Sequence, residues 1–356
     1  MSAKKIRIGL FTSGGDCAGL NYALMAITRR AILEYGWEVV GILNGNEGLD
    51  KGEAVILGLD YPWGETIRQG GSFLGAFSRA NNKFRYRGEQ DAIGREKADA
   101  VRGIKELGLD ALIGTGGNGS MLFWSNFATA AKIPFIGIPK TIDNDTPGTD
   151  YAIGFSSAVE LCSQMIDNIF WTAKSHRRAI AVEVMGRDTG HLAMHSGVAG
   201  DADIILTPEI PYTLDGIMEK VGHVRKKEKR EYFVIVVSEG AGAEKGQKLD
   251  TSKYLNSADY IAKFLDSHNI LARATSLGHI QRGSIPNAED RQLAARLGTY
   301  AVDTLASGES LAMVGTINGR LKTTSLKGMK ETTKFLDPKS EIVRAARDMG
   351  IYVGEL

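Results

Sequence analysis

Short apolar runs rich in β-branched residues alternate with amphipathic segments along this 356-residue chain, and glycine-rich turns follow several of the apolar runs. Residues 6–11 form such a run, for example, and residues 19–35 then have the apolar spacing of a helix. This alternation is typical of parallel strands that are joined by crossover helices. The sequence therefore predicts an α/β fold with doubly wound, mainly parallel sheets that carry helices on both faces.

Length and element order also predict how the chain is divided. At about 100–200 residues per domain, the chain has room for roughly two domains. We expect a first domain over residues 1–150 and a second over 151–310. The remaining segment, 311–356, is expected to return to the first domain.

Composition excludes several classes of protein. The formal net charge is only +1, so no overall field favours nucleic acid or a membrane surface, and any attraction for anions must be local. The two cysteines, Cys17 and Cys162, lie far apart in sequence and predict neither a disulfide framework nor a zinc site. Since no signal peptide or long apolar run is present, we expect a cytoplasmic protein.

Glycine is over-represented, with 43 residues against 8 prolines, and the glycines form tight groups rather than a linker. One group includes Gly14 and Gly15 after the first strand; another, with Gly117 and Gly119 before Ser120, follows the strand at 110–115. Successive glycines at a helix N-terminus expose backbone N–H groups to a phosphate. The two groups predict one shared polyphosphate site, although each alone is also compatible with a tight turn that binds nothing.

Residues 139–145 combine two carboxylates with a lysine and a threonine after another predicted strand. One of the two carboxylates, Asp143 or Asp145, is suited to accept the proton of an attacking hydroxyl and the other to lie near a divalent metal, while Lys140 is suited to contact phosphate. Thr141 lies beside Lys140. The segment therefore predicts phosphoryl transfer with one of its carboxylates as the base; a simple Asx turn is the alternative.

Cationic side chains occur at further predicted strand ends. Separated arginines of this kind fit the bidentate capture of a second, monoester phosphate, and one carboxylate accompanies them. His279 alternatively fits a core position. The members of this group are Arg178, Arg187, Glu239, Arg273, His279 and Arg282.

Five motifs occur in the same order as in the 6-phosphofructokinase family, which the chain resembles over about residues 5–310: TSGGDCAGLN, GGNGS, PKTIDND, VEVMGRDTGH and LGHIQRGS. The resemblance implies two Rossmann-like domains, the first for the phosphoryl donor and the second for the sugar phosphate. It implies transfer of the γ-phosphoryl of ATP to the 1-hydroxyl of fructose 6-phosphate, with Mg²⁺, in a homodimer or homotetramer.

The same resemblance assigns roles residue by residue. Asp143 corresponds to the base, Thr141, Lys140 and Arg187 to its catalytic neighbours, and Asn118 and Asp145 to the metal site. Arg178 corresponds to an arginine that reaches the sugar phosphate of a neighbouring subunit. The donor site comprises Gly14, Gly15, Arg79, Gly117, Asn118, Gly119 and Ser120. The sugar-phosphate site comprises Thr141, Ile142, Asp143, Arg178, Met185, Gly186, Arg187, Glu239, Arg273, His279 and Arg282.

Three positions bear on the donor and on activity. Gly119 favours ATP, because pyrophosphate users of the family carry a bulkier residue there, whereas Lys140 is compatible with either donor. Asn118 replaces the family's usual metal-binding aspartate and predicts weaker metal binding. A pyrophosphate-dependent enzyme, a related sugar phosphate such as sedoheptulose 7-phosphate, and a non-catalytic sugar-phosphate-binding subunit stay open as alternatives.

Regulation is expected to differ from that of bacterial members of the family. Basic residues in the first helix and in the strand that leads to Glu239 form their effector site. Here Met25 and Glu231 stand where cations are expected. We therefore predict that control by nucleotide and phosphoenolpyruvate is altered or absent.

Overall fold

The computed structural model describes residues 5–76, 92–328, 330 and 332–355, with side chains from residue 98 onward in the helix that begins at Ala92. These residues form two mainly parallel sheets, a seven-stranded one and a four-stranded one. The strands are β1 (Arg7–Thr12), β2 (Glu38–Ile42), β3 (Ala54–Ile56), β4 (Ala111–Gly116), β5 (Phe135–Pro139), β6 (Ala179–Val184), β7 (Ile204–Leu206), β8 (Phe233–Ser238), β9 (Ala272–Ser276), β10 (Ala312–Ile317) and β11 (Arg320–Ser325).

Helices connect most of these strands. The α-helices are α1 (Leu20–Tyr35), α2 (Asn46–Lys51), α3 (Trp63–Thr66), α4 (Ala92–Glu106), α5 (Asn118–Ala131), α6 (Phe155–His176), α7 (His191–Ala199), α8 (Leu214–His223), α9 (Ser257–Ser267), α10 (Ala288–Ala306) and α11 (Glu341–Asp348). Short 3₁₀ turns cover Glu244–Gly246 and Gly278–Arg282, and one π-helical turn covers Val224–Glu228.

The chain divides into two compact units. Unit 1 comprises Met1–Thr141, Thr146–Ser157 and Arg282–Thr333; unit 2 comprises Ile142–Asp145, Ala158–Gln281 and Lys334–Leu356. Each unit is therefore built from three separate segments, so the chain passes between the units more often than the expected boundaries at 150 and 310 predict. Strands β10 and β11 join the first sheet, whereas helix α11 belongs to unit 2.

Unit 1 contains the larger sheet, in the order β11-β10-β5-β4-β1-β2-β3. Strand β1 pairs in parallel with β2 on one side and with β4 on the other, so the strand order reverses beside β1. The carboxyl ends meet at one edge, since Thr12 pairs with Thr115 and Gly116 pairs with Pro139. Ligands of open α/β sheets bind at this kind of edge.

Alternation along β1 explains why both faces of this sheet are covered. Ile8 and Leu10 pack on one side with helices α1 and α10, whereas Phe11 packs on the other against Trp124 of helix α5, with ring centroids 3.9 Å apart. Successive strand side chains point to opposite faces. Two buried layers thus hold the end of β1 in place.

Unit 2 contains the smaller sheet, which is parallel throughout in the order β7-β8-β6-β9. Strands β6 and β8 are buried along their whole length and are largely apolar, as parallel strands covered on both faces are, with Glu183 and Ser238 as buried polar exceptions. Strand β9 lies at the edge and exposes several side chains. Among the described residues, no helix is long and apolar enough to cross a membrane.

Candidate active site

The loop after β1 contacts the start of helix α5 within unit 1. The Ser13 amide donates to the Thr115 carbonyl at 2.9 Å, and the Ser13 and Ser120 hydroxyl oxygens lie 3.2 Å apart. Gly14 has a φ of +84°, a left-handed conformation that strains residues with a side chain. We call residues 13–16 and 117–120, together with Lys140 and Arg282, the glycine cradle.

Two cations lie in this cradle. Lys140 is only 2% exposed, and its Nζ donates to the Gly15 carbonyl. The Arg282 guanidinium donates from Nη1 to the Asp16 carbonyl at 3.2 Å, and a Cβ added to Gly15 would lie 2.6 Å from that Nη1. Sequence analysis grouped Arg282 with the sugar phosphate, but within unit 1 it lies against the cradle. The arrangement suits a polyphosphate.

Burial makes the neighbouring Cys17 inert as a nucleophile. The thiol is fully buried and donates to the Ile153 carbonyl at 3.3 Å. Burial raises the pKa of Cys17 to about 12, although the nearby Lys140 charge opposes this shift. The thiolate is the nucleophilic form, so Cys17 acts as a packing residue.

Asn118 begins helix α5 and fits a position beside a metal. Its amide nitrogen donates to the Thr332 carbonyl, whereas its Oδ1 is buried and has no hydrogen-bond partner in the part of the chain that the structure describes. No group of three or more His, Cys, Asp or Glu side chains that could hold a metal occurs among those residues. A lone amide oxygen fits Mg²⁺ that takes its other ligands from substrate phosphates and water.

The first half of segment 139–145 is fixed by the residues that precede helix α6. The Thr141 amide donates to the Ile153 carbonyl at 3.1 Å. Buried Asp290 holds the next residues, because its carboxylate accepts from the Gly154 amide at 2.8 Å and from the Ser157 hydroxyl at 2.6 Å. Burial raises the pKa of Asp290. Thr141 is thus held by main-chain contacts within unit 1.

The second half of the segment belongs to unit 2. Asp143 is only 5% exposed, and Asn144 after it has a φ of +51°, where asparagine is tolerated better than most residues. The Asp143 carbonyl accepts from the Thr189 hydroxyl at 3.2 Å, and the Asp145 carbonyl accepts from the Lys334 amide at 2.8 Å. Both carbonyls next to Asn144 are therefore anchored.

Residues 185–190, which we call the Gly186 turn, follow β6 in unit 2. Gly186 has a φ of +142°, and a Cβ there would lie 2.5 Å from the Thr189 carbonyl oxygen. The Arg187 amide donates to Glu239 Oε1 at 2.6 Å, and Arg187 has a strained φ of +54° with an exposed side chain. Strain of this kind persists where the surroundings impose it, often at functional sites.

The other expected residues vary in their placement. Met185 is half-buried and lies two positions before Arg187, and Ile142 is fully buried. Arg178 is partly buried, whereas Arg273 and His279 are exposed. The Arg273 guanidinium donates to the carbonyl of the preceding residue, Ala272. Gly117 and Gly119 are half-buried at the start of α5. Arg79 lies outside the described residues.

Sequence reasoning missed the residues that hold this site together. Gln281 is fully buried, accepts from the Met185 amide at 3.1 Å and donates to the Gly278 carbonyl at 2.8 Å. Thr189, Ser238 and Asp290 make similar buried contacts. A polar side chain next to an expected site residue was the only available signal, as for Gln281 beside Arg282.

Comparison with known proteins agrees with this geometry. The family model described as phosphofructokinase matches residues 7–305. The ATP-dependent 6-phosphofructokinase of Thermosynechococcus vestitus is 41% identical over 361 residues, which cover 100% of this chain and 95% of that protein. The protein of the same description from Chloroflexus aggregans is 37% identical, over 100% of this chain and 99% of its own. The chain belongs to the phosphofructokinase family, and the expected resemblance is confirmed.

Solved structures agree on the fold. Phosphofructokinase from Saccharomyces cerevisiae matches with a TM-score of 0.76 at 30% identity, over 91% of this chain and 45% of the yeast chain, so this chain spans less than half of that one. A pyrophosphate-dependent phosphofructokinase from Nitrosospira multiformis matches with a TM-score of 0.80 at 20% identity, over 98% of this chain. At that identity the likeness concerns the fold alone. The expected α/β class with mainly parallel sheets is confirmed.

Proposed function

We propose that this chain is an ATP-dependent 6-phosphofructokinase that transfers the γ-phosphoryl group of ATP to the 1-hydroxyl of fructose 6-phosphate, with Asp143 as the base. The observation that carries the proposal is the placement of segment 139–145. Its Lys140 donates to the Gly15 carbonyl of the glycine cradle, and its Asp143, three residues on, is anchored to the Gly186 turn through Thr189. One continuous segment thus contributes Lys140 to unit 1 and Asp143 to unit 2.

The glycine cradle would bind the ATP phosphates. The exposed Gly15 and the half-buried Gly14 and Gly117 let phosphate oxygens approach the backbone, and helix α5 begins at Asn118 with its N-terminus in the cradle. Lys140 supplies a positive charge and Ser120 a hydroxyl. Arg282 adds a planar guanidinium, which suits charge that develops on the transferring group.

The Gly186 turn would bind the sugar phosphate. Arg187 projects an exposed cation from a backbone that Glu239 fixes at the amide. Asp143 would accept the proton of the sugar's 1-hydroxyl as that oxygen attacks the γ-phosphorus, while the bond from phosphorus to the β-phosphate oxygen breaks. The residues expected to complete this subsite are Thr141, Ile142, Arg178, Met185, Gly186, Arg273 and His279.

Asn118 and Asp145 are the residues that would hold Mg²⁺. When bound with ATP, Mg²⁺ neutralises charge on the β- and γ-phosphate oxygens. Asn118 offers a buried oxygen for it but no negative charge, so the nucleotide phosphates would supply more of the ligands.

ATP is the favoured donor. Full-length relatives at 36–41% identity are described as ATP-dependent enzymes, and Gly119 is the residue that ATP users carry.

Arg178 is partly buried, and its Nε has no hydrogen-bond partner among the described residues. We propose that it reaches the sugar phosphate of a second copy in a homo-oligomer.

Replacing Asp143→Asn tests the mechanism, because the amide keeps the shape but cannot act as a base. We expect kcat with ATP to fall by about 10²–10⁴-fold, with little change in the KM for fructose 6-phosphate. The assay couples fructose 1,6-bisphosphate formation to NADH oxidation, with ATP or pyrophosphate as sole donor. Asp348→Asn, on the exposed face of α11, is the matched control.

Each alternative makes a different prediction in the same assay. Turnover with pyrophosphate alone would overturn the choice of donor. An unchanged rate in Asp143→Asn would overturn the assignment of the base. A wild-type chain that binds fructose 6-phosphate but turns over neither donor would identify a non-catalytic subunit.

A further inference from the structure

Thr189 belongs to the Gly186 turn, and its hydroxyl contacts Asp143 of the catalytic segment. The side chain is 1% exposed and lies within unit 2. Its hydroxyl oxygen is 3.2 Å from the Asp143 carbonyl oxygen and 3.0 Å from the Gly186 carbonyl oxygen. A threonine hydroxyl has a single proton to donate, so the two carbonyl oxygens share it in a three-centre hydrogen bond.

Thr189 is itself held firmly. Its amide donates to the Gly186 carbonyl at 3.0 Å, and its carbonyl accepts from the Ser238 hydroxyl at 3.1 Å. Ser238 is fully buried at the end of β8, directly before Glu239, which fixes the Arg187 amide. Thr189 and the Arg187 amide are therefore both held by residues at the end of β8.

The main chain of Asp143 needs such an anchor. Asn144 has a φ of +51°, a conformation that costs free energy without glycine, and the Lys334 amide fixes the carbonyl only on its far side, at Asp145. The near-side carbonyl, that of Asp143, meets the Thr189 hydroxyl. Loss of this hydrogen bond would remove one restraint on the peptide after Asp143, the residue that carries the carboxylate.

We propose that Thr189 is a positioning residue, which sets the orientation of the Asp143 carboxylate relative to the Gly186 turn. This inference rests on the proposed function, since it concerns Asp143 as the base. The hydroxyl, rather than the volume of the side chain, is the necessary feature, because the two carbonyl groups that it bridges are both buried acceptors. Small displacements of a catalytic group have large effects on rate.

The experiment compares Thr189→Val, which keeps the shape without the hydroxyl, with Thr189→Ser, which keeps the hydroxyl. We expect Thr189→Val to lower kcat by about 10–100-fold with the KM for ATP within about twofold, and Thr189→Ser to recover most of that loss. Thr299→Val removes a hydroxyl that donates to Ala295 within helix α10, and it controls for the loss of a threonine hydroxyl.

A double-mutant cycle separates positioning from general stability. In an Asp143→Asn background there is no base to orient, so adding Thr189→Val should change the residual rate by less than about twofold. Equal fold losses in both backgrounds would overturn the inference, as would a Thr189→Val rate within twofold of wild type. Should Thr189→Val fail to fold, Ser238→Ala, which frees the Thr189 carbonyl, carries the same cycle.

The cycle also keeps this inference distinct from the proposed function. If Asp143→Asn retains the wild-type rate, the assignment of the base itself is wrong. If Asp143→Asn is impaired and Thr189→Val is not, only the role of Thr189 is wrong.

Discussion

The glycine cradle of unit 1 and the Gly186 turn of unit 2 are organised in different ways. In the cradle, the charges of Lys140 and Arg282 come from side chains whose flexible ends lie against glycine backbone. In the Gly186 turn, the close contacts restrain the main chain: Gly186 lies against the Thr189 carbonyl, and the Arg187 amide donates to the Glu239 carboxylate. The cradle is thus organised by charge, and the turn by backbone geometry.

This difference determines how each region tolerates change. A side chain that meets the end of a flexible arginine can displace it, whereas one that meets a backbone oxygen forces the main chain to move. The cradle should therefore be sensitive to the loss of charge and the Gly186 turn to the addition of volume. Both expectations can be measured on the same assay.

Among the changes that compare the two regions, the largest effect is expected from Lys140→Met, which removes the buried charge of the cradle at nearly constant length. We expect kcat/KM for ATP to fall by about 10²–10³-fold, as on removing one preorganised donor to developing charge. The melting temperature should change little, because methionine fills the same buried space. Lys226→Met on the exposed π-helical turn is the control, and wild-type kinetics in Lys140→Met would contradict a phosphate role.

A pair of alanine substitutions sharpens the comparison further. Gly186→Ala places its Cβ 2.5 Å from a backbone oxygen at a φ of +142°, and we expect kcat/KM for fructose 6-phosphate to fall about 100-fold. Gly15→Ala meets only the Arg282 guanidinium, 2.6 Å away, and that group can move. Its effect should be about 10-fold or less and confined to the KM for ATP. Equal losses in the two variants would remove the distinction between the regions.

The sequence predicted the elements that carry the site better than the contacts that hold it. The helix expected over 19–35 is α1, which covers Leu20–Tyr35, because its apolar spacing and the C-capping Gly36 are local features. The two glycine groups and segment 139–145 were also identified, since each directly follows a predicted strand. Their clustering follows from the register of β1, β4 and β5.

Thr189, Gln281 and Asp290 could not be found in this way, because their roles depend on pairings between distant parts of the chain. Asp290 holds Gly154 and Ser157, more than 130 positions away in sequence. Arg282 shows the same limit in another form: its motif indicates a cation for the sugar phosphate, but the motif could not reveal the contact with the Asp16 carbonyl within unit 1. A local sequence motif identifies which residues belong to a site. The tertiary fold determines which main-chain groups those residues contact.

The smallest expected effect is a pH dependence of stability at His191, which begins helix α7 directly after the Gly186 turn. His191 is 8% exposed, and its Nε2 lies 3.0 Å from the Lys334 carbonyl, so Nε2 carries the proton of a neutral ring. Burial lowers the pKa of His191 to about 4, and the charges of Lys334 and His195 act in the same direction. An unfolded histidine titrates near 6.5, so between pH 6.5 and 4 the unfolded state binds more protons.

Stability should therefore be lost as the pH falls through this window. From pH 7 to pH 5, His191 should lower the free energy of unfolding by about 2 kcal/mol, measured by urea denaturation. His191→Gln keeps a nitrogen donor for Lys334 but cannot titrate, so its stability should fall less over that range. Lys140→Met leaves His191 in place and should retain the wild-type slope. Equal slopes for His191→Gln and wild type would show that this histidine does not make the region of the Gly186 turn acid-sensitive.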